Sequence, residues 1–175
     1  GHAPINQFTH ARRSPSDTFT DIVRPNVDTA YSMAWLDVSK EPLVLSVPST
    51  EGRFYVLPYY DKYTRVIDMD GTPATGTAPG NFLICGPSWQ GISPEGMPII
   101  RAPQDTAWII GRTQVNSLAD WRAVYSLQRH YLLTPLSAWG TEYVPPRRLR
   151  IDSRLPNKKP MDIVAEMKPA LFFTM

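Results

Sequence analysis

The sequence predicts a mainly β fold, an antiparallel jelly-roll-like β-sandwich with one or two helices after residue 115. The first reason is that ten of the 18 prolines recur at short intervals between residues 25 and 103, which leaves room for strands but hardly any for helices. The second is that short β-branched and aromatic runs lie between these prolines. The third is that turn-forming pairs such as Glu51-Gly52 and Asp70-Gly71 separate the runs. Short strands at roughly ten-residue spacing are typical of sandwiches.

The pattern of apolar residues places the individual elements. The predicted strands are 31–38, 43–47, 53–57, 64–68, 81–85, 99–102 and 106–111. A helix near 117–132 follows, because Ser117 and Asp120 resemble a capping box and apolar residues then recur at helical spacing as far as Leu132. A further strand is predicted at 148–152, and the segment after residue 160 reads as the start of an amphipathic helix.

Two regions follow from this order of elements. Residues 1–155 are expected to form the β-sandwich domain, including the helix. Residues 156–175 are expected to be a linker and the beginning of a helix that leads into a further C-terminal domain. The reason is that Phe172, Phe173 and Met175 are apolar and have no evident partner at the end of the chain.

Composition excludes several classes of function. Hydrophobic residues make up 42% and charged residues 19% of the chain, which is typical of a globular protein. The formal net charge of +2 gives no reason to expect nucleic-acid binding, and no apolar run is long enough to span a membrane. The single Cys85 excludes an internal disulfide and a thiolate zinc site of the finger type. No His-x-His or His-Glu-x-x-His spacing indicates a metal, and nothing indicates a cofactor.

One short motif resembles a catalytic signature. The stretch "VIDMDGT" from Val66 to Thr72 has the Asp-x-Asp-Gly-Thr pattern of phosphotransferases that use an aspartate nucleophile. Those enzymes need a parallel sheet built from βαβ units, and no helix of useful length is predicted before residue 115. The sequence therefore predicts that Asp68 ends a strand and that Asp70-Gly71 forms the turn after it.

The densest polar cluster, "RPNVDT" from Arg24 to Thr29, precedes Tyr31 and suits either a hydrogen-bonded turn or the rim of a pocket. Arg112 ends a very apolar strand and would bring a second guanidinium to the edge of the sheet. A structural role, such as an ion pair between Asp28 and an arginine, competes with ligand binding at each position. The ligand-binding candidates are Arg24, Asn26, Asp28, Thr29, Tyr31 and Arg112.

Two functions stay open on the residues alone. One is a non-catalytic module with a groove for a small molecule or carbohydrate, lined by the aromatic residues Tyr59, Tyr60, Trp89 and Trp139. The other is a glycosidase-like hydrolase with paired carboxylates, either Asp28 with Asp61 or Asp28 with Glu142. The residues do not settle whether the protein is an enzyme, and they leave homo-oligomers open.

Several longer segments carry a family resemblance. "RPNVDTAYSMAWLDVSKEPLVLSVP", "GRFYVLPYYDKYTRV" and "PEGMPIIRAPQDTAWIIGRTQV" resemble the bacterial family known as domain of unknown function 1254, and the match runs over about 3–140. The resemblance implies a jelly-roll-like sandwich followed by a second domain, domain of unknown function 1214. The apolar residues at the end of the chain predict that this domain packs against its C-terminal neighbour, with the ligand groove between them. The resemblance implies no established reaction or catalytic residue. Because many family members look exported, it implies a periplasmic or extracellular setting.

Overall fold

The computed structural model describes residues 4–11, 28–94 and 96–146, and within them the fold is mainly β, as predicted. One α-helix, α1, spans Trp121–Gln128, and 3₁₀ turns lie at Leu118–Asp120 and Leu136–Ala138. The strands are β1 (Thr9–His10), β2 (Thr29–Asp37), β3 (Leu43–Val47), β4 (Tyr55–Tyr60), β5 (Val66–Gly71), β6 (Gly80–Cys85), β7 (Ile99–Arg101), β8 (Thr106–Gln114) and β9 (Leu132–Pro135).

The strands form two sheets that pack face to face. The five-stranded sheet has the order β1-β2-β8-β4-β5, and the four-stranded sheet has the order β7-β6-β3-β9. Leu36, Leu57 and Ile109 of the first sheet and Leu45 and Ile84 of the second lie in one continuous buried cluster. This shared core shows a sandwich-like arrangement. The jelly-roll connectivity stays a prediction.

Most strand pairs are antiparallel, but the pair β6–β7 is parallel, with Leu83 opposite Ile99. A parallel pair needs a long connection between its strands. The segment 86–98 supplies that connection, and its Trp89 and Met97 pack on the buried Leu83 and Val44. This parallel pair is an exception to the antiparallel arrangement that the sequence predicts and that the other strand pairs show.

The helix is shorter than predicted. It ends at Gln128, and the chain then turns and forms β9, in which Leu132 lies opposite Ser46 of β3. The helical spacing of Leu132 in the sequence is thus a coincidence. Ser117 makes no side-chain capping hydrogen bond. No membrane-spanning helix occurs among the residues that the structure describes.

Asp120 does not complete a capping box, because it binds Arg53, which lies just before β4. Arg53 donates to both of its carboxylate oxygens, at 2.6 and 2.9 Å, and also to the carbonyl oxygen of Gln114 at 2.9 Å. The backbone N–H of Asn116 donates to the same carboxylate. These bonds from Arg53 and Asn116 lower the pKa of Asp120. The ion pair fastens the segment before α1 to β4 and β8.

A glycine in the middle of β8, Gly111, leaves room for a side chain of the neighbouring strand β4. Gly111 lies opposite Ser32 of β2. A Cβ atom at this position would lie 2.4 Å from Cδ2 of Leu57 and 3.4 Å from Cβ of Ser32. Leu57 therefore fills the space that a side chain at position 111 would occupy.

Candidate functional site: the outer face of the five-stranded sheet

From Ala30 to Trp35, strand β2 turns small side chains into the core and large ones outward. Ala30, Ser32 and Ala34 point into the protein and are at most 3% exposed. The alternate residues are Tyr31, Met33 and Trp35, so they point away from the core. This is the reverse of the usual pattern, in which a half-buried strand places its large apolar residues inside.

Neighbouring strands continue this pattern in register. Trp35 lies opposite Trp108 on β8, Met33 opposite Ile110, and Tyr31 opposite Arg112. On the other side of β8, strand β4 brings Val56 opposite Arg112 and Tyr60 opposite Trp108. We call the resulting surface the aromatic face. Its members are Tyr31, Met33 and Trp35 of β2, Trp108, Ile110 and Arg112 of β8, Val56, Pro58 and Tyr60 of β4, and Val66 and Met69 of β5.

Three aromatic rings form a row across one end of this face. The indole rings of Trp35 and Trp108 are stacked, with centroids 5.2 Å apart and planes 10° apart. The Tyr60 ring lies 5.1 Å from the Trp108 ring and is tilted by 39°. The Trp108 ring nitrogen donates to the carbonyl oxygen of Asp61 at 3.0 Å. Its polar atom is therefore satisfied within the fold, and the row presents apolar ring surface outward.

The aromatic face is unusually apolar for a surface in contact with water. Met33 is 41% exposed, Trp35 52%, Val66 60% and Met69 38%. Strand spacing of about 4.8 Å over four strands and about 3.4 Å per residue over six residues give an area of about 400 Å². Continuous apolar patches of this size on soluble proteins often mark interaction sites.

Arg112 is the one charged member of the aromatic face. Its guanidinium lies over the ring of Tyr31, 5.5 Å from the centroid, in a cation–π contact. Between described residues the ion pairs are Arg53–Asp120 and Arg65–Asp61, and Arg112 belongs to neither. A guanidinium carries five N–H donors, which can bind a planar acceptor such as a carboxylate.

The structure places the sequence-predicted ligand-binding residues unevenly. Tyr31 and Arg112 are side by side, as cross-strand neighbours. Thr29 begins the same strand opposite Gln114, and the backbone carbonyl of Asp28 accepts from the N–H of Val115. Arg24 and Asn26 lie outside the described residues, so their place relative to Tyr31 stays a prediction.

The aromatic residues predicted to line a groove are also scattered. The prediction for Tyr59 was wrong, because this residue is fully buried in the core. Tyr60 belongs to the aromatic face, whereas Trp89 packs on a separate buried cluster near β6. Trp139 is 37% exposed and follows the last 3₁₀ turn.

Sequence reasoning missed Trp35 and Trp108. The alternation of small and large residues in "AYSMAW" was the signal that could have found the first of them.

Asp61, one of the predicted catalytic carboxylates, holds a loop together. It is 1% exposed and accepts a hydrogen bond from the Arg65 side chain at 2.7 Å. It also accepts from the backbone N–H groups of Tyr63 and Arg65 at 2.8 and 2.9 Å. Desolvation opposes ionisation here, but these hydrogen bonds outweigh it and lower the pKa of Asp61. Its oxygen atoms are thus engaged within the fold, which argues against a role as general acid or base.

The Asp-x-Asp-Gly-Thr motif lies on an edge strand and not in a turn. Asp68, Asp70 and Gly71 all belong to β5, so the predicted turn at Asp70-Gly71 was wrong. The turn follows, with the carbonyl oxygen of Gly71 accepting from the N–H groups of residues 74 to 76. Asp70 is buried and accepts a hydrogen bond from the hydroxyl of Tyr59. Among the described residues no cluster of three His, Cys, Asp or Glu side chains could hold a metal ion.

Comparison with known proteins places these features in a family context. The family described as "Protein of unknown function (DUF1254)" matches residues 5–135. No curated protein matches the chain.

Two solved structures are similar to the chain. One is the VPA0106 protein from Vibrio parahaemolyticus, with a TM-score of 0.63 and 25% identity, over 83% of this chain and 34% of that one. The other is an uncharacterised protein from Burkholderia cenocepacia, with a TM-score of 0.41 and 15% identity, over 81% of this chain and 36% of that one. The chain therefore spans about a third of the length of each.

Proposed function

Because the chain belongs to the family described as protein of unknown function DUF1254, we propose that it is a β-sandwich interaction module within a longer protein. In this proposal its aromatic face packs against a second domain of the same chain. The second domain is suggested by the length of the Vibrio parahaemolyticus protein, of which this chain spans 34%. The aromatic face itself is the observation that carries the proposal.

The energetic reason is the apolar surface left in water. Side chains of Trp35, Met33, Val66 and Met69 keep between 38 and 60% of their surface exposed. Covering apolar surface contributes about 25 cal/mol per Å², so about 400 Å² would contribute roughly 10 kcal/mol before the costs of association. A domain linked on the same chain loses less translational freedom on docking than a free partner does.

The path of the backbone fits this arrangement. The last described residue, Pro146, has its carbonyl oxygen bound by the side-chain nitrogen of Gln7 at 2.9 Å. The neighbouring Asn6 donates its backbone N–H to the carbonyl oxygen of Trp35 at 2.8 Å. Chain beyond residue 146 thus starts beside the Trp35 end of the aromatic face, where a linker to a covering domain needs to start.

The glycosidase alternative has less support from the described residues. Asp61 is engaged in its own loop, as described above. Glu142 is exposed on the segment after the last 3₁₀ turn. No observation on the described part of the chain brings either one together with Asp28 around an open cleft.

Cysteine labelling in the longest natural chain that contains this domain tests the proposal. In a Cys85→Ala background, one variant carries Met33→Cys on the aromatic face and the other carries Leu132→Cys on β9. These two sites are matched in the domain itself, because Met33 is 41% and Leu132 50% exposed. We expect the thiol at position 33 to react with a maleimide roughly tenfold or more slowly than the thiol at position 132, since the second domain covers it. Equal rates would show that the aromatic face is open, and the proposal would fail.

A further inference from the structure

We propose that the layer covering the aromatic face carries a carboxylate directly opposite Arg112. This inference builds on the proposed function, since it specifies the chemistry of the covering domain at one position. The surface of the covering domain is then apolar where it contacts Trp35 and Met33, and it is acidic where it contacts Arg112. The observations that carry it are the position of Arg112 within the face and the groups that surround it.

Arg112 cannot be covered by an apolar layer without a large cost. A guanidinium keeps its charge at any ordinary pH. Removing it from water without a charged partner leaves an uncompensated buried charge, which is strongly unfavourable. The covering layer must therefore either leave Arg112 in water or bring an anion to it.

The neighbours of Arg112 on the sheet provide no anion. Tyr31 and Val56 lie directly opposite it on the two flanking strands, and neither carries a charge. Along β8, the next residue on the same face is the apolar Ile110. The guanidinium lies over the Tyr31 ring, with its central carbon 5.5 Å from the ring centroid, and its N–H donors can bind an acceptor from a covering layer. A carboxylate matches such a fork of donors in bidentate fashion.

The position of Arg112 within the face also defines the alignment of the partner. The aromatic row Trp35–Trp108–Tyr60 lies at the opposite end of β8 from Arg112, two side-chain rows away. Two rows correspond to about 13 Å along the strand. A partner surface therefore needs an acidic side chain about 13 Å from the apolar group that contacts the indole rings. A charge at one end and a hydrophobic contact at the other allow only one orientation of docking.

The test uses the Cys85→Ala, Met33→Cys protein in the longest natural chain and adds Arg112→Lys, Arg112→Leu or Arg112→Glu. We expect Arg112→Glu to speed the labelling of the thiol at position 33 by about tenfold or more, because it faces the partner carboxylate with a like charge. Arg112→Leu should speed it less, and Arg112→Lys should stay close to the parent. Arg122→Glu on α1, which is exposed and away from the aromatic face, serves as the matched charge-reversal control.

The outcomes separate this inference from the proposed function. If the thiol at position 33 is protected in the parent and stays equally protected in Arg112→Glu, the carboxylate is absent and the inference is wrong, while the covered face stands. If that thiol is unprotected in the parent, the proposed function itself fails.

Two further measurements test whether the carboxylate that binds Arg112 and the layer that covers the aromatic face belong to the second domain. The Arg112 variants are also melted as the 175-residue chain alone. A clear fall in the melting temperature of Arg112→Leu there would assign the acceptor to this chain. Protection that depends on protein concentration would assign the cover to a second copy. Either result overturns the inference.

Discussion

Tyr59 donates a hydrogen bond to the carboxylate of Asp70 inside the sandwich, between strands β4 and β5. Tyr59 has no exposed surface, and Asp70 is 5% exposed. Burial disfavours the charged form of Asp70, and the nearby Asp68 adds to this effect, whereas the bond from Tyr59 opposes it. The net result is a pKa raised to about 6. Burial, and then the charge of Asp70, likewise raise the pKa of Tyr59 well above its usual value.

This pair predicts that the domain becomes less stable as the pH rises. The pKa of Asp70 is higher in the folded state than in the unfolded state, where it is near 3.8. The stabilising contribution of its proton is therefore complete below pH 3.8 and is lost as the pH rises through about 6. Asp70→Asn keeps an acceptor for Tyr59 without a charge, so it should stabilise the domain at pH 8 by about 1–3 kcal/mol. Urea unfolding at pH 5 and pH 8 measures this, with Glu142→Gln as control, because Glu142 is exposed and has no part in the pKa shift of Asp70. An unchanged pH dependence in Asp70→Asn would contradict the prediction.

The ion pair between Arg53 and Asp120 predicts a second stability effect. Asp120→Ala leaves Arg53 without its main acceptor and removes the acceptor of the Asn116 N–H. Water reaches part of the pair, because the side chains are 20 and 15% exposed, so the loss should be about 2–3 kcal/mol and below that of a fully buried pair. Chemical denaturation of the two single variants and the double variant Arg53→Ala/Asp120→Ala measures the coupling. Additive losses would show that the two side chains do not act together.

Replacing Gly71 by any residue with a side chain is expected to destabilise the domain. Its φ angle is +127°, and a Cβ atom there would lie 2.4 Å from the backbone oxygen of Tyr55. Backbone cannot move aside as a flexible side chain can, so Gly71→Ala should cost about 3 kcal/mol or more. Gly76 is the matched control, since it also has a positive φ, +79°, but nothing lies within 4 Å of its Cβ position. Gly76→Ala should cost about 1 kcal/mol in the same unfolding measurement. Equal losses would mean that the close contact with Tyr55 is relieved by local movement.

The stacked indoles predict a small stability effect with a distinct optical signal. Trp35→Ala removes a ring that is already 52% exposed, so this chain should lose only about 0.5–1.5 kcal/mol. Two indoles stacked at 5.2 Å couple electronically, and the circular dichroism of the pair should disappear in both Trp35→Ala and Trp108→Ala. Trp139→Ala provides the control, because Trp139 lies outside the aromatic face. A dichroism signal that survives in Trp35→Ala would show that the stack is absent in solution.

Local sequence patterns were sufficient for most of the strands. All seven strands predicted before residue 115 occur, and 43–47 matches β3 in full. Strand β4 runs through Pro58 as far as Tyr60, because Pro58 has no partner in the register between β4 and β8 and its missing N–H is tolerated there. The strand predicted at 148–152 and the helix start after residue 160 lie outside the described residues.

Tertiary context explains what the sequence did not reveal. Strands β1 and β9 are short and exist because they pair with β2 and β3, and the local sequence of Leu132–Pro135 resembles the end of a helix. The sequence spacing between Ser117 and Asp120 is that of a capping box. In the structure, however, the Asp120 carboxylate accepts hydrogen bonds from Arg53, which lies 67 residues earlier in the chain. Within the candidate site, Tyr31 and Arg112 could be named individually, but only strand pairing brings them together.

The closeness of Leu57 to Gly111 has a consequence for how accurately the chain folds. Because Trp108 and Ile110 on the outer side of β8 are apolar, like Ala107 and Ile109 on its inner side, this part of the strand does not by itself define the alignment of β8 with β2 and β4. Sliding β8 by one residue along these strands would, however, force Ile110 or Arg112 into the space that Leu57 fills. Only Gly111, which has no side chain, fits beside Leu57, so this contact selects one alignment of β8 with β2 and β4. We therefore expect that replacing Gly111 leads mainly to misfolding and aggregation, and less to a correctly folded domain of lower stability.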